Sequence, residues 1–200
     1  MPTPSSRYAA AIAALDAVNA QDPKLIEVEG ERRPAELAYA ERMSAALNKL
    51  YPNASELLKL AVRAQHIQRW TVPRSTYPEG RAGYHRWRND LKARHAQIAG
   101  EILGMHGYSP EEVARVASLI EKRALKRDAE AQALEDAACL VFLEHYLEEF
   151  AARTEPAKMV DILRKTWAKM SPTAQDAARA LPLAPGMADV LRIALDGSNP

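Results

Sequence analysis

The spacing of prolines and glycines divides this chain into segments of helical pattern. Between these breaks, apolar residues recur at every third or fourth position, and the alternation of apolar and polar residues that marks a strand is almost absent. One helix start is especially clear, because SPEE at 109–112 supplies a cap, a proline in the first turn and a glutamate at the capping-box position. The pattern predicts an all-α protein, a single-domain bundle of about seven to nine helices.

The breaks also give the order of the helices. A polar linker containing Gly30 separates the first two, and the helix containing AACLVFL is apolar all round, which is typical of a central helix. We predict one domain over residues 5–195 and a flexible tail over 196–200. The predicted helices cover 6–20, 34–50, 55–70, 85–105, 109–127 and 129–152, then begin at 154 and 171, with a last one over 187–195.

Composition excludes several classes of protein. A formal net charge of +1 gives no global preference for nucleic acid or an acidic partner. Apolar runs such as 137–143 fall far short of the ~20 residues that a membrane span requires, and the polar N-terminal stretch lacks the basic region of a signal peptide. We therefore expect a cytoplasmic protein with no membrane partner. The oligomeric state stays open.

Charge is distributed unevenly along the chain. Residues 63–95 contain eight arginines and lysines against two acids, whereas residues 128–150 contain seven acids and no lysine or arginine. Two interpretations follow. The two segments pair with each other as structural ion pairs, or the basic segment binds phosphate through the bidentate arginine fork.

A predicted loop of fourteen residues, TVPRSTYPEGRAGY, runs from Thr71 to Tyr84 and contains two prolines and two glycines. Loops of this length inside a compact domain are usually functional or mobile. We expect it to close over a ligand, with neighbouring arginines binding phosphate and aromatic side chains offering stacking surfaces. The predicted phosphate-binding residues are Arg69, Arg74, Arg81 and Arg88, and the predicted stacking residues are Trp70, Tyr77, Tyr84 and Trp87.

Two adjacent acids, Glu135 and Asp136, lie in the apolar helix sequence ALEDAACLVFL. A buried carboxylate requires a cation, a hydrogen-bond donor or a proton. These acids therefore predict either a catalytic group that positions a metal or a water, or a structural pair with an arginine. Among the five histidines we single out His66 and His95, because His66 is followed by Arg69 and Trp70 and His95 shares a helix face with Arg88.

The order of these motifs resembles the HD-domain phosphohydrolase superfamily. AVRAQHIQRW resembles its first histidine–aspartate segment, HAQIAGEILGMHGYSPEEVARVASLI its second histidine region, and ALEDAACL its late aspartate segment. A closer resemblance, over about residues 5–195, is to a family of all-α proteins described as a domain of unknown function, which shares RAQHIxRW, PRxxYPxGRxGYxxWR and LEDxACLVFLE with this chain. The first resemblance implies an HD-like fold and a divalent metal.

Carried over position by position, the superfamily motif is incomplete. His66, His95 and Asp136 match metal ligands, but Ile67 stands where the paired aspartate belongs. No histidine precedes His66, so the resemblance leaves Glu36 or Glu41 as a substitute oxygen ligand. A further ligand position falls near Lys122 or Arg123. The resemblance thus implies at most a single metal with mixed nitrogen and oxygen ligands, or a pocket that binds phosphate through cations, including Lys122, without a metal.

Our leading hypothesis is an HD-like protein that binds a phosphorylated ligand, such as a nucleotide, around His66, His95 and Asp136. Hydrolysis of a phosphoester with a single divalent metal is the reaction this implies. One alternative is a non-enzymatic module that binds nucleic acid or a nucleotide through the arginines and aromatic residues. Another is an interaction protein whose arginines are consumed by Glu135, Asp136 and Glu144.

Overall fold

The computed structural model describes residues 6–123, 125 and 127–196, and shows an all-α, single-domain bundle. Within these residues there are ten α-helices and one small hairpin of strands β1 (Leu25–Val28) and β2 (Glu31–Pro34). Most of the predicted tail, residues 197–200, lies outside the described part. The helices are α1 (Ser6–Asn19), α2 (Ala35–Leu50), α3 (Glu56–Ala64), α4 (Gly80–Met105), α5 (Pro110–Ile120), α6 (Ala129–His145), α7 (Leu147–Ala152), α8 (Pro156–Trp167), α9 (Pro172–Arg179) and α10 (Pro185–Asp196).

The predicted helix starts are confirmed by their caps. The Ser109 hydroxyl accepts from the Glu112 amide while the Glu112 carboxylate accepts from the Ser109 amide, which completes a capping box. Ser55 and Ser171 cap α3 and α9 in the same way, through hydroxyls that accept amide hydrogens of the first turn. These caps fix where α3 and α5, which flank the site described below, begin.

α6 is the central helix. One side of it, including Leu134, Ala137 and Val141, packs into a core shared with α1 to α5. Its opposite side, including Leu140 and Leu143, packs into a second core with α7 to α10. This double burial explains why the sequence is apolar all round. The predicted helix over 129–152 is interrupted at Tyr146, which gives ten helices rather than the expected seven to nine.

The predicted polar linker between the first two helices is wrong, because residues 25–34 form an antiparallel hairpin. Glu29 and Gly30 both have positive φ, as the central residues of a tight hairpin turn require. The strands have only four residues each and none of their side chains is fully buried, so the sequence shows little apolar alternation. Asp22 anchors the hairpin, since its carboxylate accepts hydrogen bonds from the Lys24 and Glu36 amides.

Two helix boundaries near the basic segment also differ from the prediction. α3 ends at Ala64 rather than near residue 70, and α4 begins at Gly80 rather than His85. Gln68 adopts a left-handed conformation, with φ of 54°, and this reverses the chain after α3. The intervening loop is therefore shorter than expected at its C-terminal end and includes two short 3₁₀ turns, Arg69–Thr71 and Arg74–Thr76.

The loop is attached to α4 by specific contacts. The indole of Trp87 donates to the Val72 carbonyl at 2.9 Å, and the Tyr77 hydroxyl donates to Asp90 at 2.9 Å. Gly83 permits the close approach, because a Cβ built there would lie 1.9 Å from the Pro78 carbonyl oxygen. None of the described helices is long and apolar enough to cross a membrane.

Replacing Gly83 with alanine should therefore detach the loop and lower the free energy of unfolding by about 1–3 kcal/mol. Gly104 on the same helix provides a matched control, because a Cβ there meets nothing within 4 Å. Gly104→Ala should raise the free energy of unfolding by about 0.5–1 kcal/mol through helix propensity. Urea unfolding of both variants measures this. Equal shifts in the two variants would show that the loop does not rest on α4.

Candidate functional site

A basic pocket lies where the turn after α3, the middle of α4 and the end of α5 meet. Its enclosed volume is about 30 Å³, which accommodates a water molecule or a single ligand group. The nine residues that define the basic pocket are Gln65, His66, Arg69, Arg88, Leu91, Lys92, His95, Ile120 and Lys122. The structure thus brings together five of the residues predicted from sequence: the two histidines, Arg69, Arg88 and Lys122.

Backbone strain is concentrated beside this pocket. Three non-glycine residues among the described ones have positive φ, and two of them, Gln68 and Lys122, lie next to or within the pocket. Such conformations cost of order 1 kcal/mol or more and persist where the surrounding structure enforces them, which is common at functional sites. Gln68 directly precedes Arg69, so the two strained residues set the backbone at two of the pocket's cations, Arg69 and Lys122.

His95 is held by one hydrogen bond and leaves one nitrogen unpartnered. Its Nδ1 lies 2.7 Å from the Ile67 carbonyl oxygen, which can only accept, so Nδ1 carries the proton. Nε2 is therefore a lone-pair acceptor, and it is buried without a hydrogen-bond partner among the described residues. Burial, His66 and Arg69 lower the pKa of His95 to about 3, so the ring is neutral at physiological pH.

His66 is held between three groups. Its ring stacks on Tyr39 at 4.1 Å between centroids, Nδ1 lies 3.4 Å from the Glu36 carboxylate, and Nε2 lies 3.4 Å from the Arg69 guanidinium. Arginine can only donate, so Nε2 accepts and Nδ1 carries the proton that faces Glu36. Burial and the nearby Arg69, Lys122 and Arg88 hold the pKa of His66 well below its usual value.

Glu36 is the buried acid behind His66. Its side chain is 15% exposed, and burial raises its pKa to about 7 even though Arg69 and His95 favour the charged form. Asp22 positions it by accepting the Glu36 amide hydrogen at 3.0 Å. Glu36 and His66 together form a carboxylate–imidazole pair, the arrangement in which an acid orients a histidine for proton transfer.

Positive charge exceeds negative charge around the pocket. Neither Arg88 nor Lys92 forms an ion pair with a carboxylate in the described part of the chain, although Arg88 donates to the Tyr84 hydroxyl at 3.2 Å. Burial, together with Arg88 and Lys122, lowers the pKa of Lys92 below its usual value. A cation repelled by neighbouring cations would be stabilised by a bound anion.

Glu135 and Lys122 form a buried ion pair at the edge of the pocket, with side chains 9% and 10% exposed. Lys169 approaches the same carboxylate at 3.7 Å. Burial alone would raise the pKa of Glu135, but Lys122, Lys169 and Arg88 outweigh it and keep the pKa below its usual value. Glu135 therefore stays ionised and holds the Lys122 ammonium in place.

Asp136 lies outside the basic pocket, contrary to the expectation from sequence. It is fully buried, and its carboxylate accepts four hydrogen bonds that tie α6 to α2 and to the start of α9. The donors are the Tyr51 hydroxyl at 2.6 Å, the Ser171 hydroxyl at 2.6 Å, the Ser171 amide at 2.8 Å and the Gln132 amide group at 2.9 Å. A buried carboxylate whose oxygens accept this many hydrogen bonds from the protein has a structural role.

The residues present do not fit the divalent metal that the superfamily resemblance implies. His66, His95 and Asp136 do not converge, and the part of the chain that is described contains no cluster of three histidine, cysteine or acidic side chains suited to a metal ion. The Ile67 side chain is fully buried in the core, and its carbonyl is already bonded to His95. Glu41, the other proposed oxygen ligand, pairs with Arg33 at 2.8 Å.

Several residues predicted to contact a ligand instead hold the loop together. The Arg74 guanidinium donates to the Tyr77 and Pro78 carbonyls, which organises the turn that precedes α4. Tyr77 bonds Asp90, and the Trp87 ring is buried. These contacts hold the loop in shape and attach it to α4.

The remaining predicted ligand residues lie near the pocket without lining it. Trp70 is half-buried in the first 3₁₀ turn. Arg81 and Tyr84 are exposed on α4, where Arg81 contacts His85 and Tyr84 contacts Arg88. Arg81, His85, Arg88, Lys92 and His95 share one face of the helix, because their spacing alternates between four and three residues. A basic stripe therefore leads along α4 into the pocket.

The arginines of residues 63–95 do not pair with the acidic helix in the way the scaffold interpretation requires. Their ion pairs are made with acids elsewhere: Arg63 with Asp16 and Glu41, Arg69 with Glu36, and Arg86 with Asp90. Glu135 is paired with lysines, and Asp136 is bonded by neutral donors. The two oppositely charged segments thus remain largely separate.

Three polar residues in or beside the pocket were not singled out from the sequence: Tyr39, Gln65 and Lys92. Lys92 belongs to the basic segment, and its spacing from His95 on a predicted helix places both on one face. Tyr39 and Gln65 meet through a hydrogen bond of 3.3 Å between residues 26 positions apart. No local pattern indicates that contact.

A larger cavity, of about 560 Å³, lies between α7, α8 and α10. Its lining is almost entirely apolar, including Met159, Val160 and Met187. None of the residues predicted to carry chemistry lies there, so the basic pocket remains the candidate site.

A family model described as a domain of unknown function (DUF4202) matches residues 9–191 of this chain. The chain belongs to this family. The match spans α2 to α9 in full, so every residue of the basic pocket lies within the family domain. Comparison with curated proteins and with solved structures finds no match.

The buried Glu36 gives the site a pH-dependent signature. The folded state retains the Glu36 proton up to about pH 7, whereas the unfolded chain releases it near the ordinary value of 4.5. Stability contributed by this group is therefore lost as pH rises between these values. Glu36→Gln, which has no proton to lose, should gain about 2 kcal/mol over wild type between pH 5 and pH 8, as measured by urea unfolding.

The exposed Glu27 on β1 provides the control. Glu27→Gln, an exchange at an exposed side chain, should not reproduce the gain in stability of Glu36→Gln. Parallel curves for wild type and Glu36→Gln would show that Glu36 does not hold a proton in the folded protein.

Proposed function

We propose that this protein binds a phosphorylated small molecule of the nucleotide class in the basic pocket. The observation that carries the proposal is the convergence of Arg69, Arg88, Lys92 and Lys122 on two neutral histidines, with Arg88 and Lys92 unpaired by carboxylates in the described chain. Phosphate oxygens are the acceptors that such a set of charged donors binds best.

The dimensions of the pocket limit how the ligand binds. An enclosed volume of about 30 Å³ admits one small group and no nucleobase. The remainder of the ligand would lie along the exposed stripe of α4, where Arg81 and the 42%-exposed Tyr84 offer a charge and a ring surface. Two of the residues predicted from sequence, Arg81 and Tyr84, thus keep a role outside the pocket.

A distant relation to the HD-domain phosphohydrolases is part of this proposal, and so is hydrolysis of a phosphoester. A water molecule would attack phosphorus as the ester P–O bond breaks, and His66 would take a proton from that water and deliver it to the leaving oxygen. Glu36, 3.4 Å from His66 Nδ1, would hold the ring during the transfer. A bound dianion would raise the pKa of His66 by offsetting the cations that depress it.

Nucleic acid is the alternative ligand that a specific observation favours. The stripe from Arg81 to His95 covers fifteen residues of helix and spans about 21 Å, which is longer than a mononucleotide. The small enclosed volume and the net charge of +1 favour the smaller ligand.

Binding is tested by calorimetric titration with inorganic phosphate, AMP, ADP, ATP and a short single-stranded oligonucleotide at low ionic strength. Arg88→Gln and Lys92→Gln should each weaken binding of AMP by about 10-fold or more, because each removes a charge-assisted hydrogen bond. Arg94→Gln is the matched control, since Arg94 is exposed on another face of α4 and is not part of the pocket.

Binding of none of these compounds, or an equal loss in Arg94→Gln, would contradict the proposal. Tight binding of the oligonucleotide with a steep dependence on salt, and weak binding of AMP, would favour the nucleic-acid alternative.

Hydrolysis is tested by release of inorganic phosphate from nucleoside monophosphates and from p-nitrophenyl phosphate, with added manganese and with a chelator. Turnover should persist with the chelator and fall by about 100-fold or more in His66→Gln, because the variant cannot take up a proton. Turnover that is abolished by the chelator would instead favour a metal, and turnover that is unchanged in His66→Gln would exclude this histidine as the base.

A further inference from the structure

His95 lines the pocket, and its Nε2 is a buried acceptor that the proposed phosphate site leaves unused. The side chain is 2% exposed, and Nε2 has no donor among the described residues. An unpaired buried acceptor loses its hydrogen bond to water without replacement, at a typical cost of about 1–3 kcal/mol. A group bound in the pocket that donates a hydrogen would remove this cost.

The surroundings of His95 limit which hydrogen-bond donor of a ligand can bind to Nε2. Its Nδ1 proton is committed to the Ile67 carbonyl, so Nε2 can only accept. An ammonium or guanidinium group on a ligand would be repelled by the four cations that line the pocket. The enclosed space of about 30 Å³ also excludes a bulky donor. A neutral hydroxyl satisfies all three conditions.

The position of His95 relates this hydroxyl to the phosphate. Lys92 precedes His95 by three residues on α4 and Arg88 precedes it by seven, so all three share a face with a rise of about 1.5 Å per residue. A phosphate at Lys92 and Arg88 would therefore lie about one helical turn from Nε2. Sugar hydroxyls of a nucleoside monophosphate lie at a comparable distance from its phosphorus.

We infer that His95 selects phosphate esters that carry a free sugar hydroxyl, which donates a hydrogen bond to Nε2. This rests on the proposed function, since the phosphate brings the hydroxyl to the ring, and it assigns the ligand to the ribose phosphates rather than to inorganic phosphate or simple alkyl phosphates. His95 is a specificity-determining residue in this role and not a proton acceptor. Its low pKa agrees with hydrogen bonding without proton uptake.

The test compares AMP with 2′,3′-dideoxy-AMP, which has the same phosphate and base but no sugar hydroxyl on the ring. Wild type should bind AMP about 10-fold more tightly, because the analogue leaves Nε2 unpaired. Inorganic phosphate serves as a third probe that reports on the cations alone. Calorimetric titration gives the three dissociation constants.

Two substitutions of His95 test the roles of Nδ1 and Nε2 separately. In His95→Asn the amide nitrogen lies near the Nδ1 position and keeps the donor to Ile67, but the acceptor at Nε2 is lost. In His95→Gln the amide group reaches the Nε2 position and the Ile67 bond is lost. The preference for AMP over the dideoxy analogue should fall to about 1-fold in His95→Asn, which retains wild-type affinity for inorganic phosphate, and should persist in His95→Gln.

The outcomes distinguish this inference from the proposed function. If wild type binds phosphate but binds AMP and the analogue equally, Nε2 is satisfied by an ordered water and the inference is overturned. A preference that survives in His95→Asn also overturns it, because the hydroxyl is then recognised elsewhere. If wild type binds neither phosphate nor AMP, the proposed function itself fails and the role of His95 fails with it.

Discussion

The hydrogen bond from His95 Nδ1 to the Ile67 carbonyl is the contact on which the basic pocket depends. It joins α4 to the turn after α3, and it fixes the tautomer of His95 so that Nε2 is an acceptor. The turn must present the Ile67 carbonyl toward α4 while burying the Ile67 side chain, and Gln68 then reverses the chain in a left-handed conformation. Arg69 follows directly and therefore faces the pocket.

The electrostatics of the pocket follow from this packing of α4 against the turn after α3. Burial keeps both histidines neutral, and the surrounding cations lower the pKa of each further. Neutral histidines surrounded by cationic side chains form a site that attracts an anion. Glu36 contributes to the same balance, because its pKa of about 7 allows it to lose or keep a proton near neutral pH. The packing of α2, α3 and α4 offsets the free energy that burying the two histidines and Glu36 costs.

Local sequence signals predicted the helices well and the site only in part. Caps and breaks act within four or five residues, so Ser55, Ser109 and Ser171 mark real helix starts. The ends of α3 and α6 depend on tertiary contacts and were placed too late. The hairpin was missed because four-residue strands with little burial carry almost no periodic signal. Histidine and arginine positions could be identified, but their partners could not.

Asp136 shows why the type of a residue does not by itself predict its role. A buried acid next to Glu135 in an apolar helix predicts a cation or a set of donors, and the sequence cannot distinguish them. The two carboxylates point in different directions because successive helical residues are rotated by about 100°. Glu135 therefore reaches Lys122 in the pocket, whereas Asp136 reaches Tyr51 and Ser171. One acid serves the site and the other serves the packing of three helices.

On our proposal of a distant relation to the HD-domain phosphohydrolases, the departures from that superfamily's motif have a common physical effect. In the resemblance to the HD-domain superfamily, Ile67 stands in place of an acid and Lys122 or Arg123 in place of a further ligand. Relative to that motif, the absence of an acid and the presence of a lysine both make the pocket more positive. A bound divalent metal would change the charge in the same direction. On our proposal, fixed cations from Arg69, Arg88, Lys92 and Lys122 take over the attraction of phosphate. Such side-chain charges require no metal, but they also supply no activated water, so any hydrolysis must rely on the histidine and carboxylate pair.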